Sequence, residues 1–255
     1  MRVTGIDPSG GRAWCASIMV RPIAEVEPER LHFPRLVAAD PAELGKLRLG
    51  QVWPKSQAAL TWTHALERVD FAAPEWAQPG GFGELASIMP GNEQVWVESQ
   101  WLNMREVMER QAGVIARGGQ PDAPAAWQGV NALVQTVGAV RAARAHAAPT
   151  ELPASTHAPS SWRAIALRNL PHVKRAEARK SEQTVTGLLL GGYETGPLGP
   201  VLASPREDLA AALCIALAAA GLPWFAVTPA ADLIVTLAPS VPVRQRPGRA
   251  RPAAG

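Results

Sequence analysis

The sequence predicts an α/β domain, and three observations predict it. Val3–Ile6 and Val95–Val97 are short β-like runs, each followed directly by an acid, Asp7 and Glu98. The stretch 205–221 has the composition and boundaries of a buried helix. At 255 residues the chain is long enough for one well-packed domain with additions.

In chain order, the first strand ends at Asp7, Gly10 and Gly11 permit a tight turn, and Arg12–Val20 has the β-favouring content of a returning strand. A strand end is a rigid mount for a catalytic or metal-binding acid, although an Asp beside a Gly turn also satisfies local backbone donors. Residues 21–92 contain eight prolines. Asp40–Leu49 and Lys55–Arg68 are helix-like patches within this stretch, the first opened by Asp40-Pro41-Ala42-Glu43, an N-cap followed by Pro and an acid. Either Arg35–Ala38 or Val69–Ala72 supplies a third strand. Arg117–Pro124 reads as a Gly/Pro loop between two helices.

The late helix is opened by Pro205 and stopped by Gly221 and Pro223, with Glu207 and Asp208 in its first turn, where acids also suit the helix dipole. From Pro229 the chain reads as a tail. Ala231–Ala238 is a short strand or a helical turn, and the Pro/Arg/Ala composition beyond Pro239 reads as disorder. The domain is thus expected over 1–228 and an Arg-rich tail over 229–255.

Leu209–Leu222 is apolar but too short to span a bilayer, so no membrane role is expected. Cys15 and Cys214 are isolated and the five histidines form no paired motif, which excludes a zinc site of ordinary spacing and fits a reducing, cytoplasmic setting. With 25 basic and 22 acidic residues the net charge is only +3, so the distribution of charge matters more than its sum. Between Arg163 and Glu182 lie six bases, Arg163, Arg168, Lys174, Arg175, Arg179 and Lys180, against Glu177 and Glu182. Val243–Pro252 carries four Arg and no acid. A solvated helix face and a disordered tail are the plain readings of the two; phosphate contact is the other.

The order of these motifs resembles the RuvC-type Holliday-junction resolvases of the RNase H-like nuclease superfamily. The resemblance rests on Gly5-Ile6-Asp7-Pro8-Ser9-Gly10-Gly11, on Val95–Glu98, on Pro159-Ser-Ser-Trp-Arg163 with the basic run Val173–Gln183, on Gln128–Val140 and on Asp208-Leu-Ala-Ala-Ala-Leu-Cys-Ile-Ala216. It covers 1–20, 93–103, 127–183 and 204–221. It implies an RNase H-like mixed sheet flanked by helices, with residues 21–92 as an insertion between the second strand and the Glu98 strand. It implies a structure-selective DNA endonuclease of recombination and repair that cuts four-way or related branched DNA.

The chemistry of such an activity accounts for the acids. In-line hydrolysis of a phosphodiester needs an activated water and a stabilised leaving oxygen, which two Mg²⁺ ions provide, and hard Mg²⁺ takes oxygen ligands. On the resemblance Asp7 bridges two Mg²⁺ (or Mn²⁺), Glu98 binds one and Asp208 the other, with Glu207 competing for the role of Asp208. Trp101 is placed to stack on bases, Gln100 and Asn103 to meet the backbone, and Arg163, Lys174, Arg175, Arg179 and Lys180 to contact phosphates. Trp162 is a candidate brace for the loop before the basic run.

One departure stands out: family members carry a second acid or His one turn after Asp208, and here that position is Ala211. A junction-binding protein without catalysis is therefore one rival reading. An actin-like or sugar-kinase-like ATPase is another, disfavoured by the lack of a second Gly-rich phosphate loop in the C-terminal half.

The resemblance also implies a homodimer, and places Val130, Leu133 and Val137 as interface positions if the central helices meet. Replacing Leu133 with Glu is then expected to shift the solution mass from dimer to monomer. An unchanged mass by light scattering would point to another interface.

Overall fold

A computed structural model describes residues 1–9, 11–23, 62–99, 112, 116–118, 123–190, 206–228 and 230–236. Strand β1 (Arg2–Ser9) pairs antiparallel with β2 (Arg12–Pro22), with Ser9 opposite Arg12. That register leaves a two-residue connection, in which Gly11 has φ +82°, as the tightest hairpins require. β3 (His64–Ala72) extends the sheet antiparallel beyond β2. On the other side of β1, β4 (Gln94–Glu98) and β5 (Ser155–His157) run parallel to it. β6 (Asp232–Thr236) lies parallel to β3, and the sheet order is β5-β4-β1-β2-β3-β6. This is the mixed sheet flanked by helices, of the α/β class, that the sequence motifs imply.

Helices cover both faces. α1 (Gly81–Ser87) and α2 (Ala123–Ala147) pack on one, against Ile6, Cys15, Val95 and Val97. On the other lie α3 (Pro159–Ala166), α4 (Arg175–Leu190) and α5 (Arg206–Ala219). Because side chains alternate along a strand, Val3, Gly5 and Asp7 share the α5 face while Ile6 points the other way. Cys15 and Cys214 are buried on opposite faces, far from any disulfide geometry.

Every residue of α5 from Leu209 to Ala219 is buried. The helix lies over β1 at Gly5, where an added Cβ would stand 2.2 Å from the Ala216 nitrogen and 2.3 Å from the Ala212 oxygen. A glycine in the strand and alanines in the helix are what allow backbone to meet backbone there. The helix ends at Gly221, whose φ of +71° is the left-handed conformation that stops a helix.

The opposite layer is pinned by polar anchors. Arg144, fully buried near the end of α2, donates to the carbonyls of Met89, Asn92 and Leu152 and pairs with Glu151, fixing the turns that lead into β4 and β5. The Thr136 hydroxyl of α2 lies 2.9 Å from the Trp76 indole N–H and 3.2 Å from the Ser9 carbonyl, so the end of β1 is tied to the helix.

Several sequence readings change. Val69–Ala72 lies in a strand, which begins at His64, so the end of the helix-like patch Lys55–Arg68 is strand. The reason is a bulge: the β2 pairing jumps from Arg68 to Leu66 between Met19 and Val20. Glu67 is thereby left over, Leu66 and Val69 face the same core, and their spacing of three mimics a helix. Part of the stretch read as tail, 232–236, is strand β6. Ala123 and Pro124, read as loop, open α2. Arg35–Ala38 and Asp40–Leu49 lie outside the described residues. Of the expected interface positions, Leu133 is half-buried, Val137 packs on the core, and the side chain of Val130 is outside the description.

A methyl group on Gly5 has nowhere to go except against the helix backbone. Gly5→Ala is expected to destabilise the fold by about 2 kcal/mol or more, read as a lowered thermal midpoint. A midpoint within error of wild type would show that α5 does not rest on Gly5.

Candidate active site

The sheet register brings the first two acids together. Ile6 of β1 stands beside Val97 of β4, so Asp7 and Glu98 are the next residues of neighbouring parallel strands and leave the sheet on the α5 face. His157 of β5 is beside Glu98, and Trp14 of β2 is opposite Asp7. The His157 ring is stacked on Trp96 at 3.6 Å between centroids and lies 2.9 Å from the Ser155 hydroxyl.

The third acid arrives from above. α5 meets Gly5 at Ala212–Ala216, and Asp208 is one turn, ~6 Å, before Ala212. Asp7 is two residues, ~6.6 Å, beyond Gly5. The two steps run the same way, and the negative charge of Asp208 is felt at Asp7. Its neighbour Glu207 turns outward instead, 3.1 Å from Arg179 of α4 and half exposed. Of the two acids in this turn, only Asp208 is thus brought to the strand acids.

A fourth acid joins them that sequence reasoning counted merely as a charge in the basic run. Glu182 is buried, and its charge acts on both Asp7 and Glu98. A signal for it was present: Ala178, Glu182, Val185 and Leu189 fall on one helical stripe, and the other three are core residues. Arg163 is its partner, with Nε donating to Glu182 Oε1 at 2.7 Å while the guanidinium lies over the Trp162 ring at 4.8 Å. Trp162, completely buried, donates its indole N–H to Glu98 Oε2 at 3.2 Å. Trp162 therefore braces a site carboxylate directly.

Electrostatics follow from this crowding. Burial pushes Asp7 well above the usual carboxylate range, and the charges of Glu98, Asp208 and Glu182 push it further, against Arg163. Burial raises Glu98 to about 7, with Glu182 adding to the rise and Arg163, the Trp162 hydrogen bond and Arg175 opposing it. Burial also raises Glu182, against Arg163, and raises Asp208, with Glu207 adding and Arg179 opposing. Among the described residues the Asp7 carboxylate has no hydrogen-bond donor and no ion-pair partner, although it is only 9% exposed. No three His, Cys, Asp or Glu side chains among those residues already close on one point in metal-holding geometry.

The basic residues divide. Lys174, Arg175 and Lys180 are exposed at the start of α4, and Arg175 is near enough to Glu98 to act on it. Arg179 is exposed but paired with Glu207. Arg163, expected at a phosphate, is engaged inside with Glu182. Trp101, Gln100 and Asn103 lie outside the described residues. Ala211 is buried in the core against its neighbours.

Raised carboxylates make stability depend on pH with a definite sign. Between the ordinary Glu range and about 7 the folded protein holds a proton on Glu98 that the unfolded chain has released, so stability falls as pH rises through that window. The loss at full ionisation is on the order of 3 kcal/mol, and Asp7 adds in the same direction. The metal-free protein is expected to melt higher at about pH 5 than at about pH 8, and Asp7→Asn to melt above wild type at the higher pH. A midpoint that climbs with pH, with no gain from Asp7→Asn, would rule out the repulsion described.

No protein-family model matches this chain, and no curated protein matches it. Among solved structures it is similar to Thermus thermophilus RuvC, at a TM-score of 0.41 and 18% identity over 87% of this chain and 94% of that one. It is similar also to T. thermophilus RuvC in complex with Holliday junction substrate, at a TM-score of 0.40 and 16% identity over the same shares. Likeness of that degree leaves the reading of the site to rest on its own geometry.

Proposed function

We propose that this chain is a divalent-metal-dependent DNA endonuclease acting on four-way or related branched DNA. The observation that carries the reading is Asp7, a buried carboxylate with no donor or cation of its own among the described residues, set against Glu98, Asp208 and Glu182. Left without a cation, such a cluster is costly to fold. Carboxylate oxygens are the donors that hard Mg²⁺ or Mn²⁺ takes, so the residues fit the metal in kind. The DNA part of the reading follows the resemblance of the motifs and the exposed Lys174, Arg175 and Lys180 of the basic run, of which Arg175 acts on Glu98.

Asp7, Glu98 and Asp208 would hold the ions. When bound, two such ions supply a more acidic water and charge neutralisation at the phosphoryl oxygens and the leaving group. The protein's own part is orientation. Strand pairing fixes the Asp7 and Glu98 backbones, the Trp162 indole holds one Glu98 oxygen, and the contact of α5 with Gly5 sets the height of Asp208. Lys174, Arg175 and Lys180 would hold the DNA backbone across the acids against the repulsion of like charge.

Ala211 favours a second reading, a junction-binding protein without catalysis, because no acid stands one turn after Asp208.

A labelled synthetic four-way junction with Mg²⁺ or Mn²⁺ separates the two. Wild type is expected to make paired nicks, while Asp7→Asn, Glu98→Gln and Asp208→Asn still bind but cut slower by about a hundredfold or more. Binding without any cut by wild type would establish the second reading. Neither binding nor cutting would remove branched DNA as the substrate.

A further inference from the structure

The position that Ala211 leaves without an acid is not the only place from which a carboxylate can reach this centre. α4 packs beside α5 on the same face of the sheet, and Arg179 of α4 reaches Glu207 in the first turn of α5 at 3.1 Å. Glu182 is one turn further along α4 and is turned inward, on the buried stripe with Ala178 and Val185. From the other side the chain of contacts runs from Glu98 to the Trp162 indole, through the neighbouring Arg163, to Glu182 Oε1 at 2.7 Å. Glu182 is thus bracketed between the Asp208 turn and Glu98. Its second oxygen, Oε2, has no hydrogen-bond partner among the described residues.

Resting on the metal-dependent reading above, we propose that Glu182 is the fourth carboxylate ligand of the centre, supplied by α4 in place of the acid absent at Ala211, with Arg163 as the counter-ion that positions it while no metal is bound. Asp7, Glu98 and Asp208 leave coordination positions on two hard cations that a further carboxylate oxygen can take beside water and phosphate oxygens. A buried carboxylate held by an arginine on one oxygen and open on the other has an oxygen to offer such an ion. A purely structural role would need only the Arg163 pair, and would be indifferent to where the second oxygen lies.

The full chain is titrated with Mn²⁺ alone, free ion being read by electron paramagnetic resonance, for wild type, Asp7→Asn, Glu182→Gln, Glu182→Asp and Glu177→Gln, with near-ultraviolet circular dichroism reporting the tertiary fold. Glu182→Gln keeps the shape and the acceptor for Arg163, and is expected to weaken binding of at least one ion by about tenfold or more. Glu182→Asp, which keeps the charge but withdraws the oxygens by one methylene, is expected to weaken it too. Glu177→Gln, the half-exposed acid on the same helix, is expected to titrate as wild type. If Asp7→Asn weakens binding while Glu182→Gln does not, Glu182 is only the partner of Arg163. If Glu182→Asp binds as wild type while Glu182→Gln is weak, Glu182 acts by charge at a distance and is not a ligand. Either result overturns the proposal and leaves the metal reading intact, whereas a wild type that takes up no Mn²⁺ overturns both.

Discussion

The contact of the α5 backbone with Gly5 is the constraint on which the rest of the molecule depends. It is a contact between main chains: the missing Cβ of Gly5 points at the Ala212 oxygen and the Ala216 nitrogen, partners in one helical hydrogen bond. Nothing larger than glycine fits in the strand, and the alanines on α5 keep the helix close to the sheet across its length. α3 and α4 then pack against the sides of α5, so one close approach sets the height of the whole layer. The carboxylates inherit their spacing from it, since Asp7 stands in fixed register on the strand and Asp208 in fixed register on the helix.

The site this creates works against the fold that carries it. Three buried acids and the half-buried Asp208 share one end of the sheet, and only two hydrogen bonds among the described residues relieve them directly, the Trp162 indole on Glu98 and Arg163 on Glu182. These two relieving residues are adjacent in sequence on a helix of eight residues, so α3 acts as a clamp on the acid cluster. Burial is the largest reason for every raised carboxylate here, and mutual repulsion adds to it. The large core elsewhere in the sheet must offset that cost, and a domain of this size buries enough apolar surface to do so.

Much of this was legible in the residues. The hairpin, the Glu98 strand end and the boundaries of α5 follow from apolar runs, Gly turns and Pro/Gly stops, signals that are local, whereas Asp7, read as the end of its strand, lies two residues inside β1 because the hairpin pairing runs on to Ser9 and Arg12. What was hidden depended on distant partners. β5 is only Ser155-Thr156-His157, too short and too polar to show a period, and exists because β4 offers it a ladder. The bulge at Glu67 gave a strand the spacing of a helix. Glu182 reads as one more surface acid until the stripe it shares with Ala178 and Val185 is seen to face the core. The choice between Glu207 and Asp208 was open because neighbours on a helix diverge by about 100°, and only the seating of α5 decides which one turns inward.

The order in which the elements are made carries a consequence for biosynthesis. Asp7 and Glu98 lie on strands that are synthesised early and can pair as soon as both have left the ribosome, whereas α5, with Asp208, follows nearly all of the sheet. Until α5 arrives, β1 lacks the helix that seats on Gly5, and closing that gap requires joining segments far apart along the chain, a slow step for any fold. The same helix also completes the acid cluster. The seating of α5 on Gly5 and the arrival of Asp208 are therefore one event in the life of a nascent chain.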